Sequence, residues 1–134
     1  MSNPTILAKY NALPQKGAII AEYIWIDGSN NMRCKAKTLS KPVTDVSDLS
    51  WWNFDGSSTK QAPGHDSDVL LKPIAYYPDP FRGGENILVL CECWNPDGTP
   101  NKFNHRHAAD LVLKAHSSEK IWFGLEQEYT LLDK

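Results

Sequence analysis

Residues 19–38 read IIAEYIWIDGSNNMRCKAKT, and this stretch carries the clearest structural pattern in the chain. Its first eight residues are rich in β-branched and aromatic side chains, which favour a strand, and Asp27-Gly28 is a typical start of a turn. From Met32 to Thr38, small or apolar residues alternate with arginine and lysine. The stretch therefore predicts a β-hairpin whose second strand keeps one face in water.

Segments on both sides of this hairpin also have patterns that predict helices or strands. Asn3-Pro4 can serve as the N-cap and first residue of a helix that ends before Pro14. Residues 68–77 and 86–93 are also strand-like, and the loop between them is dense in proline and glycine. A long irregular stretch is expected between the hairpin and these two strands.

The last third of the chain predicts one helix and one strand. Asn104 can cap a helix with apolar residues on one face, namely Ala108, Leu111, Val112 and Ala115. Residues 120–132 alternate in the manner of a strand. Together these signals predict a small mixed sheet with two helices.

Composition narrows the classes of function. With 134 residues the chain fits one ordinary domain and a short part of a second, and no stretch is apolar enough to span a bilayer. A formal charge of −2, spread along the sequence, argues against nucleic acid or an anionic membrane as a partner. The first residues lack the pattern of a secretion signal, and three cysteines make a poor disulfide framework, so free thiols and a cytoplasmic location are expected.

The first candidate site is the segment WWNFDGSST at residues 51–59. Asp55, Gly56, Ser57 and Ser58 form a polar loop that could present one carboxylate and two hydroxyls, with three aromatic rings nearby to fix its position. Such a loop suits a small cation such as ammonium. The alternative is a surface turn in which Asp55 and the serines bond their own backbone.

The second candidate site is Glu126 and Glu128 in the terminal segment GLEQEYT. If the segment is a strand, residues two apart point the same way with Cα atoms about 7 Å apart, so the two carboxylates would lie side by side. They could then hold Mg²⁺ or Mn²⁺, which take oxygen ligands. The alternative is an edge strand with one solvated face.

A zinc site is a weaker alternative. Cys91, Cys93, His105 and His107 are suitable ligand types. However, Cys-x-Cys on a strand and His-x-His at the start of a helix lack the usual spacing of a zinc knuckle.

Taken in order, these segments resemble glutamine synthetase of the eukaryotic type, the ligase that joins ammonium to glutamate at the expense of ATP. The resemblance runs from the first helix to the last residue and rests on a series of motifs: AEYIWIDG at 21–28, WNFDGSST at 52–59, QAPG at 61–64, DPFR at 79–82, NILVL at 86–90 and GLEQEYT at 124–130. Each motif alone is weak, whereas the ordered series is specific.

The resemblance implies an α+β fold, with a β-grasp-like N-terminal domain at residues 1–103 and the start of the catalytic domain, including its first strand, at 104–134. It implies stacked rings in which each active site lies between neighbouring subunits. Asp55 would bind and deprotonate ammonium in trans, with Ser58 on the same loop. Glu126 and Glu128 would ligate two catalytic Mg²⁺ or Mn²⁺ ions, with ATP as co-substrate.

Complete members of the family are much longer, and their ATP-binding segment, glutamate-binding arginines and remaining metal ligands have no match in this chain. We therefore expect no ligase activity from this polypeptide alone. Two further hypotheses stay open. One is a non-catalytic assembly or regulatory protein that docks on full-length rings, and the other is a β-grasp binding module that uses the Trp51-Trp52 loop.

Overall fold

The computed structural model describes residues 3–133, which divide into two compact units, one within Met1–Asn104 and one within His105–Lys134. None of the helices in the described part of the chain is long and apolar enough to cross a membrane. In chain order the elements are α1 (Pro4–Asn11), β1 (Ile19–Ile26), β2 (Met32–Leu39), a 3₁₀ helix (Val46–Asp48), β3 (Trp52–Asp55), β4 (Asp68–Pro78), β5 (Ile87–Trp94), α2 (His105–Ala115) and a second 3₁₀ helix (Ser117–Glu119).

The five strands form one mixed sheet in the order β2-β1-β5-β4-β3. β1 and β5 run parallel at its centre, whereas the other neighbours, β1 with β2, β5 with β4 and β4 with β3, are antiparallel. The predicted hairpin and the predicted mixed sheet are therefore confirmed. The short β3 lies at one edge of the sheet, where its C-terminal end is open to the surroundings.

One face of the sheet builds the core because its inward-facing residues are apolar on three adjacent strands. Leu49, from the connection between β2 and β3, closes over this face. The buried strand residues are Ile19, Ala21, Tyr23 and Trp25 on β1, Val69 and Leu71 on β4, and Ile87, Val89, Cys91 and Cys93 on β5.

On β2, the half-buried face carries the lysines. Lys35 and Lys37 lie opposite Tyr23 and Ala21 of β1, so they project to the core side of the sheet. The ammonium of Lys35 lies 3.6 Å from the centroid of the Trp52 ring and donates to the Asn53 carbonyl. Long basic side chains can cover apolar rings with their aliphatic part while the charged group stays near solvent. The other face of β2 is exposed.

The stretch between the hairpin and the later strands is less irregular than predicted, because it contains β3. Four residues give too short an alternation to identify a strand from sequence. In the structure Trp52 and Phe54 turn toward the core while their backbone pairs with β4 opposite Leu71 and Val69. Tertiary pairing therefore makes this short segment a strand.

Helix α1 begins as predicted. The Asn3 side chain accepts a hydrogen bond of 3.0 Å from the Thr5 amide, and Pro4 occupies the first turn. No side chain of this helix is buried within the structure, and its apolar residues Ile6, Leu7 and Tyr10 are exposed.

The second unit confirms the predicted helix, α2, but not the predicted strand. Residues 120–133 contain no strand, so the expectation for 120–132 was wrong for this chain. A strand is held by backbone hydrogen bonds to a neighbouring strand. Alternation of side chains cannot supply that neighbour, and the described residues of this unit contain no strand to pair with.

Candidate functional site

Asp55 is the last residue of β3 and lies directly opposite Asp68 of β4. Residues opposite one another in an antiparallel pair project to the same face, so two acidic side chains share the open end of the edge pair. Asp55 is exposed. The edge of the sheet thus presents this carboxylate outward instead of enclosing it in the core.

The Asp55 carboxylate is held by Ser57. Its Oδ1 accepts a 2.6 Å hydrogen bond from the Ser57 hydroxyl and a 2.9 Å bond from the Ser57 amide. These bonds from the side chain and backbone of Ser57, with a further one from the Ser67 side chain, lower the pKa of Asp55 below its ordinary value because they stabilise the charged form. Asp55 is therefore an anion across the physiological range.

Ser58 lies on the same turn but bonds differently. Its hydroxyl donates to the backbone carbonyl of Asp55 over 3.3 Å, and the side chain is exposed. The structure therefore brings the two predicted residues together through the backbone. This is the local geometry of the surface-turn alternative, and it leaves the loop open to a partner.

Gly56 fixes the loop to the body of the sheet. A Cβ at this position would lie 2.5 Å from the Val69 Cγ2 and 3.0 Å from the Ala62 Cβ, so only glycine permits the approach. The Gly56 carbonyl also accepts hydrogen bonds from the amides of Thr59, Gln61 and Ala62. The backbone beside Asp55 is thus rigid, which sequence analysis did not identify.

Two of the three aromatic residues around the loop, Trp52 and Phe54, pack against the core. The Trp52 ring meets the buried Tyr23 ring edge to face at 5.5 Å, and Phe54 lies 4.4 Å from Trp25 between ring centroids. Trp51 projects to the other side of the sheet, where it lies 6.1 Å from the ring of Trp94.

The turn that begins at Asp27-Gly28 packs against the Asp55 loop. Gly28 donates its amide to the Thr59 carbonyl, and a Cβ on Gly28 would lie 2.8 Å from the Lys60 carbonyl oxygen. Just before it, the buried Asp27 accepts hydrogen bonds from the amides of Ser29 and Asn31 and binds Arg33 Nε at 2.7 Å. The Asn31 amide and the Arg33 side chain are the leading causes that lower the pKa of Asp27 to about 2. The Asp27-Gly28 pair predicted a turn, but the sequence did not indicate that this turn contacts the Asp55 loop.

Two depressions of about 470 and 360 Å³ flank the loop. Both are lined by Gln61, Ala62 and Pro63, and Asp55 lines neither. The Asp55 side chain is exposed outside these two depressions.

The loop at residues 79–84, to which the sequence assigned no chemistry, is organised by a buried carboxylate. Asp79 accepts hydrogen bonds from the amides of Phe81 and Arg82 and binds Arg82 Nη1 at 2.7 Å. Arg82 also binds Glu22 on β1. The pKa of Asp79 is lowered chiefly by the Arg82 side chain, and this network ties the loop to the sheet.

The structure does not support a zinc site. Cys91 and Cys93 are buried free thiols, and burial raises their pKa values to about 12 and about 11. Residues 3–133 hold no cluster of three or more histidine, cysteine, aspartate or glutamate side chains arranged for a metal ion.

Glu126 and Glu128 lie in the second unit, in the segment without regular secondary structure, and both side chains are exposed. The strand that would have placed them side by side is absent from this segment, so only their role as metal ligands stays a prediction. Carboxylate oxygens are the ligands that Mg²⁺ and Mn²⁺ prefer, but two such groups make only part of a six-coordinate shell.

Comparison with known proteins identifies a family, two relatives and one solved structure. Residues 17–96 match the family described as glutamine synthetase, beta-Grasp domain. The chain is 66% identical over 128 residues to the glutamine synthetase of Saccharomyces cerevisiae, covering 96% of this chain and 35% of that protein. It is 63% identical over 133 residues to that of Tuber borchii, covering 99% of this chain and 37% of that protein.

The chain thus spans about a third of the length of the curated relatives it matches. Among solved structures, a glutamine synthetase of Plasmodium falciparum shares the fold with a TM-score of 0.59 at 18% identity. The superposition covers 89% of this chain and 23% of that one.

Proposed function

Because the chain belongs to the glutamine synthetase family and corresponds to the N-terminal portion of its members, we propose that it takes part in the ATP-dependent ligation of ammonium to glutamate. Its contribution is the Asp55 loop, delivered in trans to the active site of an adjacent subunit in a stacked ring. Ser58 acts from the same loop. The predicted division at residues 103 and 104, and a cytoplasmic location, are parts of this proposal.

The observation that carries the proposal is an exposed anion on a rigid turn. Asp55 is ionised and held by Ser57, while Gly56 locks the backbone against Val69. In open solvent a single carboxylate attracts a cation only weakly, because water screens the charge. A second subunit that covers the loop would remove that water, so the same carboxylate would capture ammonium strongly and could accept a proton from it.

The metal part of the proposal concerns Glu126 and Glu128. Each offers the oxygen donors that Mg²⁺ or Mn²⁺ takes, and the further ligands would come from chain beyond this sequence or from a partner. When bound, these ions would polarise the phosphoryl group that ATP transfers. This chain's own residues would supply part of the donor set and its negative charge.

The chain alone should not catalyse the ligation of ammonium to glutamate. With glutamate, ammonium, ATP and Mg²⁺ present, a coupled phosphate-release assay on the purified chain should stay at background, since the described residues hold no cluster arranged for a metal ion and the Asp55 side chain is exposed. Turnover by this polypeptide would show that the site is complete within it and would overturn the in-trans assignment.

The in-trans role can be tested in a chimera in which this chain replaces the aligned region of the full-length Saccharomyces cerevisiae protein. Asp55→Asn should raise the KM for ammonium by about ten- to hundredfold, the loss expected for one charged partner. Asp97→Asn is the matched control, because Asp97 is also an exposed turn carboxylate, held by Thr99 through bonds of 2.6 and 2.9 Å. Equal KM values for the two variants would refute the role of Asp55.

Mixing subunits separates action in trans from action within one subunit. Chimeras carrying Asp55→Asn or Glu126→Gln should each be impaired. When the two variants are co-expressed, a site is intact only if one subunit supplies an unchanged Asp55 and its neighbour an unchanged Glu126. With random mixing around a closed ring, this holds at about a quarter of the sites, which should regain activity. No recovery in verified mixed rings would show that each site takes Asp55 and Glu126 from the same subunit and would refute the in-trans proposal.

One observation favours the assembly hypothesis as a second candidate. Helix α1 buries no side chain, and its exposed Ile6, Leu7 and Tyr10 form an apolar surface of the kind that contacts other proteins. Co-purification of the chain with a full-length subunit, lost in an Ile6→Ser and Tyr10→Ser double variant, would support docking through this helix. Retention by the double variant would exclude this helix as the docking surface.

A further inference from the structure

Ser57 makes two hydrogen bonds to a single carboxylate oxygen. Its hydroxyl lies 2.6 Å and its amide 2.9 Å from Oδ1 of Asp55. A hydroxyl bond of this length to an ionised acceptor is among the stronger hydrogen bonds in proteins. Ser58, by contrast, donates only to the Asp55 backbone carbonyl.

We propose that Ser57 is the positioning residue that orients the Asp55 carboxylate and thereby sets the affinity of the loop for ammonium. The inference rests on the proposed function of Asp55 and adds a role for a neighbouring residue. Gly56 already fixes the backbone, so the freedom that remains at this site belongs to the Asp55 side chain. Ser57 is the main restraint on that side chain before a cation arrives, with a further hydrogen bond from Ser67.

Orientation matters because an exposed carboxylate samples several rotamers. Binding that selects one rotamer costs conformational entropy, and a side chain held in place beforehand avoids that cost. The same bonds lower the pKa of Asp55, so orientation and charge are maintained together. Removing the hydroxyl should weaken both.

The first test uses the chain itself. Carbon-detected NMR titration should show the Asp55 pKa rising toward the ordinary aspartate value in Ser57→Ala and staying low in Ser57→Thr, which keeps the hydroxyl. Thr99→Ala is the matched control, since Thr99 bonds Asp97 Oδ1 over the same distances of 2.6 and 2.9 Å. It should raise the pKa of Asp97 and leave that of Asp55 unchanged. An Asp55 pKa that does not respond to Ser57→Ala overturns the inference.

The second test measures kinetics in the chimera. Ser57→Ala should raise the KM for ammonium about fivefold, which corresponds to one net hydrogen bond of about 1 kcal/mol, with kcat at saturating ammonium within about twofold. The KM values for glutamate and ATP should not change, and Ser57→Thr should restore the ammonium KM. A merely structural serine would lower the yield or kcat without a selective effect on ammonium.

The outcomes separate the two proposals. If Asp55→Asn raises the ammonium KM but Ser57→Ala does not, Asp55 keeps its role and the positioning by Ser57 is wrong. If neither variant changes that KM, the proposed function of the loop itself is wrong.

Discussion

Replacing Gly56 by alanine tests the close packing that holds the Asp55 turn. The new Cβ would lie 2.5 Å from Val69 Cγ2 and 3.0 Å from the Ala62 Cβ, whereas carbon atoms in contact normally lie about 3.5–4.0 Å apart. Val69 is fully buried in β4 and cannot turn away without opening the core. The chain must therefore shift by roughly an ångström at this position.

Overpacking of this kind costs about 1–3 kcal/mol out of a typical total stability of about 5–15 kcal/mol. For a domain of this size, about 2 kcal/mol corresponds to a fall in Tm of about 10 °C. The shift would also move the Gly56 carbonyl, which accepts the hydrogen bonds of Thr59, Gln61 and Ala62. The fall should therefore be accompanied by faster amide exchange in this loop.

Gly64→Ala is the matched control on the same segment. A Cβ there meets nothing within 4 Å, and its backbone does not have a positive φ, so the substitution should leave Tm within about 2 °C or raise it slightly. Thermal unfolding followed by circular dichroism compares the two variants with the natural chain. A Tm for Gly56→Ala within about 2 °C of that for Gly64→Ala would show that the loop is not locked as described.

Two further predictions follow from buried groups. The pKa of Asp27 is about 2, below its ordinary 3.8, so its stabilising effect is complete above the ordinary value and is lost as the pH falls from about 3.8 toward 2. Asp27→Asn should therefore lower Tm at pH 7 and remove part of the acid dependence in that window, and equal acid profiles for the two proteins would contradict this. Of the three thiols, only Cys34 is exposed, whereas burial raises the pKa of Cys91 and Cys93 to about 12 and about 11. A thiol reagent should thus label one cysteine in the folded protein at pH 8 and three after unfolding, and rapid labelling of all three would show that the β5 face of the core is open.

Local chemistry along the chain was enough to predict most of the secondary structure. Asn3 and Pro4 identified the start of α1, the β-branched run from Ile19 with Asp27-Gly28 identified the hairpin, and Asn104 stood at the start of α2. These signals succeed because capping and turn formation depend on residues within three or four positions of one another. The DGSS motif likewise identified a polar turn around Asp55.

The remaining features depend on contacts between residues distant in the sequence. The four residues of β3 are a strand because β4 pairs with them, and 120–132 is not a strand because alternation without a neighbouring strand leaves the backbone unpaired. Similarly, Gly56 and Gly28 look like ordinary turn glycines in the sequence. Their importance lies in Val69 and Lys60, which the folded chain brings within contact distance of them. Hydrogen bonds within a cap or turn depend on neighbouring residues and can be predicted from the sequence. Strand pairing and close packing depend on contacts that form only when the chain folds and distant segments come together.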